Sequence, residues 1–342
     1  MGDVLSVQTE KNLAYDLIIN EINRLGLTSY IKEIDEQGFT VIPPEISCPD
    51  GLEKKILQSI LDVSEKRSGI KLDIKDGSTH KNLIGKLNDD IEVDYGLSTE
   101  SVDENIVATD SPIGDFLRAL IFEGKAFEDA LLNPVVLAMA TYLLGYNCHL
   151  SAMNAFIKGP NRTNLDLHCD TLLPDPLPDH ALVCNCTYAL TDYNKENGSI
   201  AFVPGSHKFN RAPNKIEAVL SQNSDAIHID AKAGSLIVFH GAVWHGAYNR
   251  VADGLRVTMP VLFARPFMKP EEYLKDNVSE DMIERINNPR FPILTQQADF
   301  YSCSDWKDQD ARKLKMMEYM KIYNESLGGV IDTTDRVHDH YA

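Results

Sequence analysis

The spacing of hydrophobic residues predicts helices in the first and last parts of the chain. Apolar residues recur at helical intervals, and over residues 51–68 they form one stripe. The predicted helices cover residues 12–25, 29–37, 51–68, 112–144 (in two pieces, broken at Asn133-Pro134) and 306–325. Residues 73–110 are polar, acidic and without periodicity, which favours a loop with short elements.

The pattern changes to short β-type runs between residues 148 and 263. Turn dipeptides such as Asn197-Gly198 and Asp253-Gly254 separate runs rich in β-branched and apolar residues. The predicted strands cover residues 149–157, 181–190, 200–203, 226–229, 235–239 and 255–263. Many short strands without helices between them are typical of a sandwich or barrel.

We therefore expect a mainly β protein with flanking helices. One domain would span residues 1–342, with a helical part over about 1–147, a β core over about 148–265 and a helical region over about 266–342. No internal repeat interrupts this organisation.

Composition and charge exclude several classes of partner. The formal net charge is -18, from 51 acidic and 33 basic residues, and such a field repels nucleic acid. The six cysteines include no CxxC pair, which favours reduced thiols. No signal-peptide pattern and no run of roughly 20 apolar residues is present. We expect a cytoplasmic protein that binds a small molecule and neither nucleic acid nor membrane; its oligomeric state is open.

Two histidines and one aspartate form a candidate metal site. His168 and Asp170 are two residues apart, so on a strand both side chains would point to one face. His245, at the end of an apolar run, supplies the third ligand. Two histidines and one carboxylate leave coordination positions open, as Fe(II) oxygenases require, whereas structural zinc sites are closed by four ligands. The alternatives are an exposed polar pair and a structural histidine.

Arg256 and Thr258 form a candidate anion site after His245. The Asp253-Gly254 turn should fold the chain back, so that the strand from Leu255 pairs with the strand of His245. An arginine among apolar residues needs a carboxylate partner, and the C5 carboxylate of 2-oxoglutarate fits, with the Thr258 hydroxyl as second donor. The alternative is a structural ion pair with an acidic residue.

These residues lie in motifs that resemble the phytanoyl-CoA dioxygenase family. The motifs are Leu167-His168-Cys169-Asp170, Glu196-Asn197-Gly198-Ser199, Val203-Pro204-Gly205-Ser206-His207-Lys208, and His245-Gly246 through Asn249 to Arg256. The resemblance covers roughly residues 30–265. It implies a double-stranded β-helix (jelly-roll, cupin-like) core with Fe(II), 2-oxoglutarate and O2.

The resemblance also assigns roles to individual residues. His168, Asp170 and His245 would hold the catalytic iron and Arg256 would bind 2-oxoglutarate. Many family members have a tryptophan where this chain has Thr187-Tyr188, so Thr187 is a candidate co-substrate contact, and Asn154 is another.

The predicted function is a dioxygenase that hydroxylates or otherwise oxidises a small organic metabolite of specialised metabolism, releasing succinate and CO2. Asp170 favours oxygenation over halogenation, which needs a small residue there. His207 is expected at the surface or stabilising its turn, and residues 171–179 are a candidate lid over the iron. The alternatives are a cupin-type metal-binding protein, a non-oxygenase metalloenzyme, and an acyl-CoA hydroxylase.

Overall fold

The computed structural model describes residues 13–77, 112–298 and 309–330. The helices there are α1 (Leu13–Arg24), α2 (Thr28–Gln37), α3 (Pro44–Ser47), α4 (Leu52–Ser68), α5 (Lys125–Leu131), α6 (Pro134–Leu144), α7 (Glu280–Ile286), α8 (Phe291–Leu294) and α9 (Gln309–Ser326). Helices α1, α2, α4, α5, α6 and α9 lie within or close to predicted helices, whereas no predicted helix covers α3, α7 or α8. Most of the predicted 73–110 loop and the start of the predicted last helix lie outside the described residues.

One predicted helical segment is instead a strand. Asp115–Leu117 pairs with Ala155–Lys158, whereas the sequence pattern predicted helix from residue 112. Gly114 explains the difference: its φ is +80°, and a Cβ there would lie 2.3 Å from the Ile157 carbonyl oxygen. The chain thus approaches the neighbouring strand too closely for any side chain at this position.

The strands form two antiparallel sheets. They are β1 (Phe39–Ile42), β2 (Asp115–Leu117), β3 (His149–Met153), β4 (Ala155–Lys158), β5 (Leu165–His168), β6 (Val183–Ala189), β7 (Ile200–Phe202), β8 (Ile227–His228), β9 (Leu236–His240), β10 (His245–Ala247) and β11 (Arg256–Ala264). The larger sheet has the order β1-β9-β6-β11-β4-β2, with β3 also paired to β11. The smaller sheet has the order β5-β10-β7-β8.

Aromatic residues pack the two sheets face to face. Phe202 of the small sheet stacks on Phe39 of the large sheet, with ring centroids 4.2 Å apart, and meets Phe239 edge-on at 5.2 Å. Two antiparallel sheets packed around a shared apolar layer form a β-sandwich, the architecture of jelly rolls. The predicted fold class is therefore confirmed.

Separate apolar clusters cover the outer faces. Helices pack on the outside of the large sheet in the largest cluster, where α6 contacts β6 and β11. On the outside of the small sheet, Leu167, Cys169 and Trp244 pack with Leu177 and Leu220. Cys169 consequently points away from the space between the sheets.

The predicted pairing of the His245 strand is wrong. β10 lies between β5 and β7, while β11 belongs to the other sheet and pairs with β3, β4 and β6. Arg250 fixes the intervening loop, because its guanidinium donates hydrogen bonds to the carbonyl oxygens of Asp253 and Gly254. The Asp-Gly turn therefore carries the chain across to the second sheet.

Within the described ranges, no single helix is long and apolar enough to cross a membrane. The bent pair of α5 and α6, at an angle of 44°, passes the same test by length and composition.

Candidate functional site

His168, Asp170 and His245 converge at one end of the small sheet. His168 ends β5 and is the direct register partner of His245, which begins β10; their ring centroids are 4.3 Å apart. Asp170 lies in the turn just beyond β5, held by a 2.9 Å hydrogen bond from Thr171 N to Gly241 O. The convergence was predicted, but Asp170 reaches the site through this turn and not through strand alternation.

The three side chains are close enough to share one ion. Asp170 Oδ1 lies 3.5 Å from His245 Nε2 and 3.9 Å from His168 Nε2. All three ligand atoms lie within 4.8 Å of one another, and in the described part of the chain no other group of His, Cys, Asp or Glu meets this condition. Two imidazoles and one carboxylate are a set that leaves coordination positions open.

Backbone carbonyls orient both imidazoles in the same way. His168 Nδ1 lies 2.9 Å from Asp166 O, and His245 Nδ1 lies 3.1 Å from Val243 O. When each Nδ1–H donates to its carbonyl, each Nε2 lone pair is left toward Asp170, as in metal-binding histidines. These residues therefore fit a divalent metal ion.

Burial favours the neutral form of His245 that a metal ion needs. It lowers the pKa of His245 to about 4, although the Asp170 carboxylate opposes the effect. The imidazole is consequently neutral at pH 7, so a metal ion would not have to displace a proton from it.

A cavity of about 300 Å³ opens beside the three ligands, and Arg256 lines it. Arg256 is 4% exposed; one Nη donates to the Gly198 carbonyl oxygen, and Nε is buried without a hydrogen-bond partner. No acidic residue within residues 13–77, 112–298 or 309–330 forms an ion pair with it, so the alternative of a structural ion pair is not observed there. A guanidinium with a buried free donor fits the carboxylate of a small acid.

The other three predicted contacts line the same cavity. Thr258, two residues after Arg256 on β11, is 2% exposed. Thr187 donates a 2.7 Å hydrogen bond to Asn185 Oδ1. Asn154, between β3 and β4, has a buried Oδ1 without a hydrogen-bond partner. The structure thus brings all seven predicted site residues to one place.

Lys158 was missed by the sequence analysis. It is fully buried beside Arg256, its register partner, and its Nζ donates to Pro112 O at 2.7 Å and to Tyr248 O at 3.0 Å. Burial, with the charges of Arg256 and Arg250, lowers the pKa of Lys158 to about 6. A lysine before a Gly-Pro turn carries no sequence signal that separates it from a surface lysine.

Glu271 was also missed, and it lies at the cavity rim near the aromatic pair Phe116 and Phe156. Burial raises the pKa of its carboxyl group, the Asp170 carboxylate adds to the rise, and Arg118 opposes it. The candidate lid over residues 171–179 does not contact the cavity: none of these residues lines it, and Leu172 is 86% exposed.

His207 and His240 lie in a different cavity, of about 600 Å³. Their ring centroids are 5.4 Å apart, and neither lines the cavity beside His168. His207 is not at the surface, because the residue is 8% exposed and packs against Gly38. The expected alternative, that it stabilises its turn, stays a prediction.

Comparisons with known proteins agree with this geometry. The sequence profile of the family described as phytanoyl-CoA dioxygenase (PhyH) matches residues 86–258, half of the chain. "Dioxygenase af480" of Aspergillus fumigatus is 31% identical over 150 residues, covering 42% of this chain and 46% of the relative. "Dioxygenase swnH1" of Metarhizium robertsii is 34% identical over 174 residues, covering 46% and 50%. The chain thus spans about half the length of these curated relatives.

A solved structure shows the same fold. HygX from Streptomyces hygroscopicus, with nickel, 2-oxoglutarate and hygromycin B bound, superposes with a TM-score of 0.50. It is 18% identical, and the match covers 74% of this chain and 93% of HygX.

A jelly roll with two histidines and a carboxylate at one cavity is the arrangement of the non-haem iron oxygenases. The profile match makes the assignment specific: the chain belongs to the phytanoyl-CoA dioxygenase family. The resemblance seen in the sequence is confirmed, and the predicted enzyme class and co-substrates are supported.

Proposed function

We propose that the protein is a non-haem Fe(II)- and 2-oxoglutarate-dependent dioxygenase that oxidises a small organic metabolite. His168, Asp170 and His245 would hold the iron, and Arg256 with Thr258 would hold 2-oxoglutarate. When bound, Fe(II) with 2-oxoglutarate and O2 supplies the oxidant for hydroxylation or a related oxidation, with succinate and CO2 as products.

One observation carries the proposal: the three candidate ligands and a buried arginine with a free donor share one cavity. Arg256 and Thr258 would bind the far carboxylate of 2-oxoglutarate, with the 2-oxo acid end directed to the open side of the metal ligands. Lys158 lies buried next to Arg256, and its lowered pKa of about 6 leaves Arg256 as the cation that lines the cavity. The chain's own residues thereby supply both a metal-binding end and an anion-binding end.

The chain shields the His245 side of the reacting centre from water, whereas the His168 side chain is 43% exposed. His245 is buried under Phe239, with ring centroids 4.7 Å apart, and β10 is covered on its outer face by Trp244. Because Arg256 is only 4% exposed, its interaction with an anion is strengthened by the low local polarity.

The other candidate functions explain less of the site. A closed zinc site needs four ligands, and the described residues bring only three together; a cupin-type binding protein has no need of Arg256. The carboxylate of Asp170 favours oxygenation over halogenation. A cavity of about 300 Å³ in an acidic protein suits a small metabolite better than an acyl-CoA. We further propose that residues 1–342 form one domain and that the protein is located in the cytoplasm.

Succinate formation tests the proposal. The protein is incubated in air with Fe(II) and 2-oxoglutarate, alone and with a metabolite panel, and succinate and mass gains of one oxygen are measured. We expect succinate to form from 2-oxoglutarate only when Fe(II) is present. Equal signals with and without Fe(II), across the whole panel, would contradict the proposal.

A further inference from the structure

The cavity has one charged residue that the proposed iron and 2-oxoglutarate roles do not use. Its lining residues with acidic or basic side chains are His168, Asp170, His245, Arg256 and Glu271. The first four would hold the metal ion and the co-substrate. Glu271 is therefore left to contact a substrate in the remaining part of the cavity.

The backbone around Glu271 is fixed, so its place at the rim is defined. The neighbouring carboxylate of Glu272 accepts hydrogen bonds from Ala119 N at 2.7 Å and Met153 N at 3.2 Å. Ser151 on β3 binds the same segment twice: its Oγ accepts from Glu271 N and its carbonyl oxygen from Glu272 N. Glu272 is thus a structural anchor, whereas no described residue donates a hydrogen bond to the Glu271 side chain.

An aromatic pair lines the cavity together with Glu271. Phe116 and Phe156 stack with ring centroids 4.9 Å apart and an interplanar angle of 16°. The guanidinium of Arg118 lies 4.8 Å from the centroid of Phe116, so this pair already contacts one cation. Aromatic faces attract cations, and the remaining lining near them is apolar, including Leu165 and Leu262.

We infer that Glu271 selects a substrate that carries a protonated amine on an apolar body. The ammonium group would bind the Glu271 carboxylate, and the apolar body would lie against Phe116 and Phe156. This inference rests on the proposed oxygenase function, because it assigns the space beside the metal ligands to the substrate.

Electrostatics favour a cation over neutral or acidic substrates of the same shape. A substrate that fills the cavity covers the rim and removes water from Glu271, and a covered carboxylate without a cationic or donor partner is costly. The net charge of -18 also raises the local concentration of cations. The competing partner is Arg118, which lies near Glu271 without forming a salt bridge to it.

Three ligands that differ only in their end group test the inference. They are 4-phenylbutylamine, its N-acetyl derivative and 5-phenylvalerate, titrated under anaerobic conditions into protein loaded with Fe(II) and 2-oxoglutarate. We expect the amine to bind at least about tenfold more tightly than the amide or the acid, a difference of about 1.4 kcal/mol. Equal or tighter binding of the acid would overturn the inference.

Substitutions at Glu271 make the test specific. Glu271→Gln should remove the preference for the amine, and Glu271→Lys should shift it toward 5-phenylvalerate. The control is Glu318→Gln, which removes the same charge from an exposed position on α9 and should keep the preference. An amine preference that persists in Glu271→Lys would assign recognition elsewhere and contradict the inference.

Failure of the inference can be told from failure of the proposed function. If the wild-type protein forms succinate with Fe(II) but shows no amine preference, only the role of Glu271 is wrong. If it neither binds 2-oxoglutarate nor forms succinate, the oxygenase proposal itself is wrong.

Discussion

The two candidate metal-binding histidines owe their orientation to backbone carbonyls two residues earlier. This i−2 contact occurs in both, at His168 with Asp166 and at His245 with Val243. The arrangement selects one tautomer without using any side chain as a partner. It also explains why His168 can be 43% exposed and still be oriented for a metal ion.

Replacing one histidine from each cavity separates a ligand from a structural residue. His245→Ala should weaken Fe(II) binding by more than about 100-fold. Loss of a residue that only supports a metal ligand weakens metal affinity by at most about 100-fold, and loss of a ligand should cost more. His207→Ala should keep the metal affinity, because His207 lies in the other cavity. Equilibrium dialysis of metal against each variant checks this, and an equal loss in both would overturn the ligand assignment.

The sequence identified cavity residues that belong to a motif and missed those that do not. His168, Asp170, His245 and Arg256 have diagnostic neighbours, so their convergence could be predicted. Lys158 and Glu271 lie in segments that read as ordinary surface, and only the fold shows that one is buried and the other lines the cavity.

At the scale of elements, the site depends on β10 lying between β5 and β7. This pairing sets His245 opposite His168 on one side and opposite Phe202 on the other. The sequence pattern predicts the strand but pairs it with β11. A turn signal such as Asp253-Gly254 shows where the chain bends, but the partner strand is chosen by packing between distant segments.

Gly246 allows the close approach of β10 to β5. A Cβ at this position would lie 2.4 Å from Leu165 O, so Gly246→Ala must shift one strand. The shift should separate His245 from His168 and weaken Fe(II) binding at least about tenfold. Metal titration with a parallel thermal unfolding curve measures both effects.

Gly26→Ala is the control for this prediction. Its φ is +71° with nothing within 4 Å of the added Cβ, so it should lower stability without changing metal affinity. Unchanged metal affinity in Gly246→Ala would show that the β5–β10 contact does not set the ligand geometry.

At the scale of the whole molecule, an acidic protein encloses a cluster of buried basic side chains. Lys158, Arg250 and Arg256 are each at most 5% exposed, although the net charge is -18. Composition disfavours polyanionic partners at the surface, but it cannot show that the interior holds a candidate anion site. The jelly roll was predictable from strand spacing and motifs; a single domain over residues 1–342 stays a prediction.

Lys158 should make stability depend on pH. Its pKa is about 6 when folded and about 10.4 when unfolded, so between these values the unfolded chain binds more protons. The free energy of unfolding therefore rises with pH in this window, by up to about 1.4 kcal/mol per pH unit from this group.

Lys158→Met should lose that contribution to the slope between pH 7 and pH 9, measured by chemical denaturation. Lys313→Met, at an exposed position on α9, should keep the wild-type slope. Identical slopes in wild type and Lys158→Met would show that Lys158 is not held in the uncharged form.

The most direct test of the account is an anaerobic titration of 2-oxoglutarate into the Fe(II)-loaded protein, followed by the visible charge-transfer absorption of the bound 2-oxo acid. We predict a saturable band in the wild type and in Arg24→Met, an exposed control. Arg256→Met should need at least about 30-fold more 2-oxoglutarate, since a buried charge pair is worth about 2 kcal/mol or more. Absence of the band in the wild type, or equal affinity in Arg256→Met, would contradict the central claim that one cavity holds both the metal ion and 2-oxoglutarate.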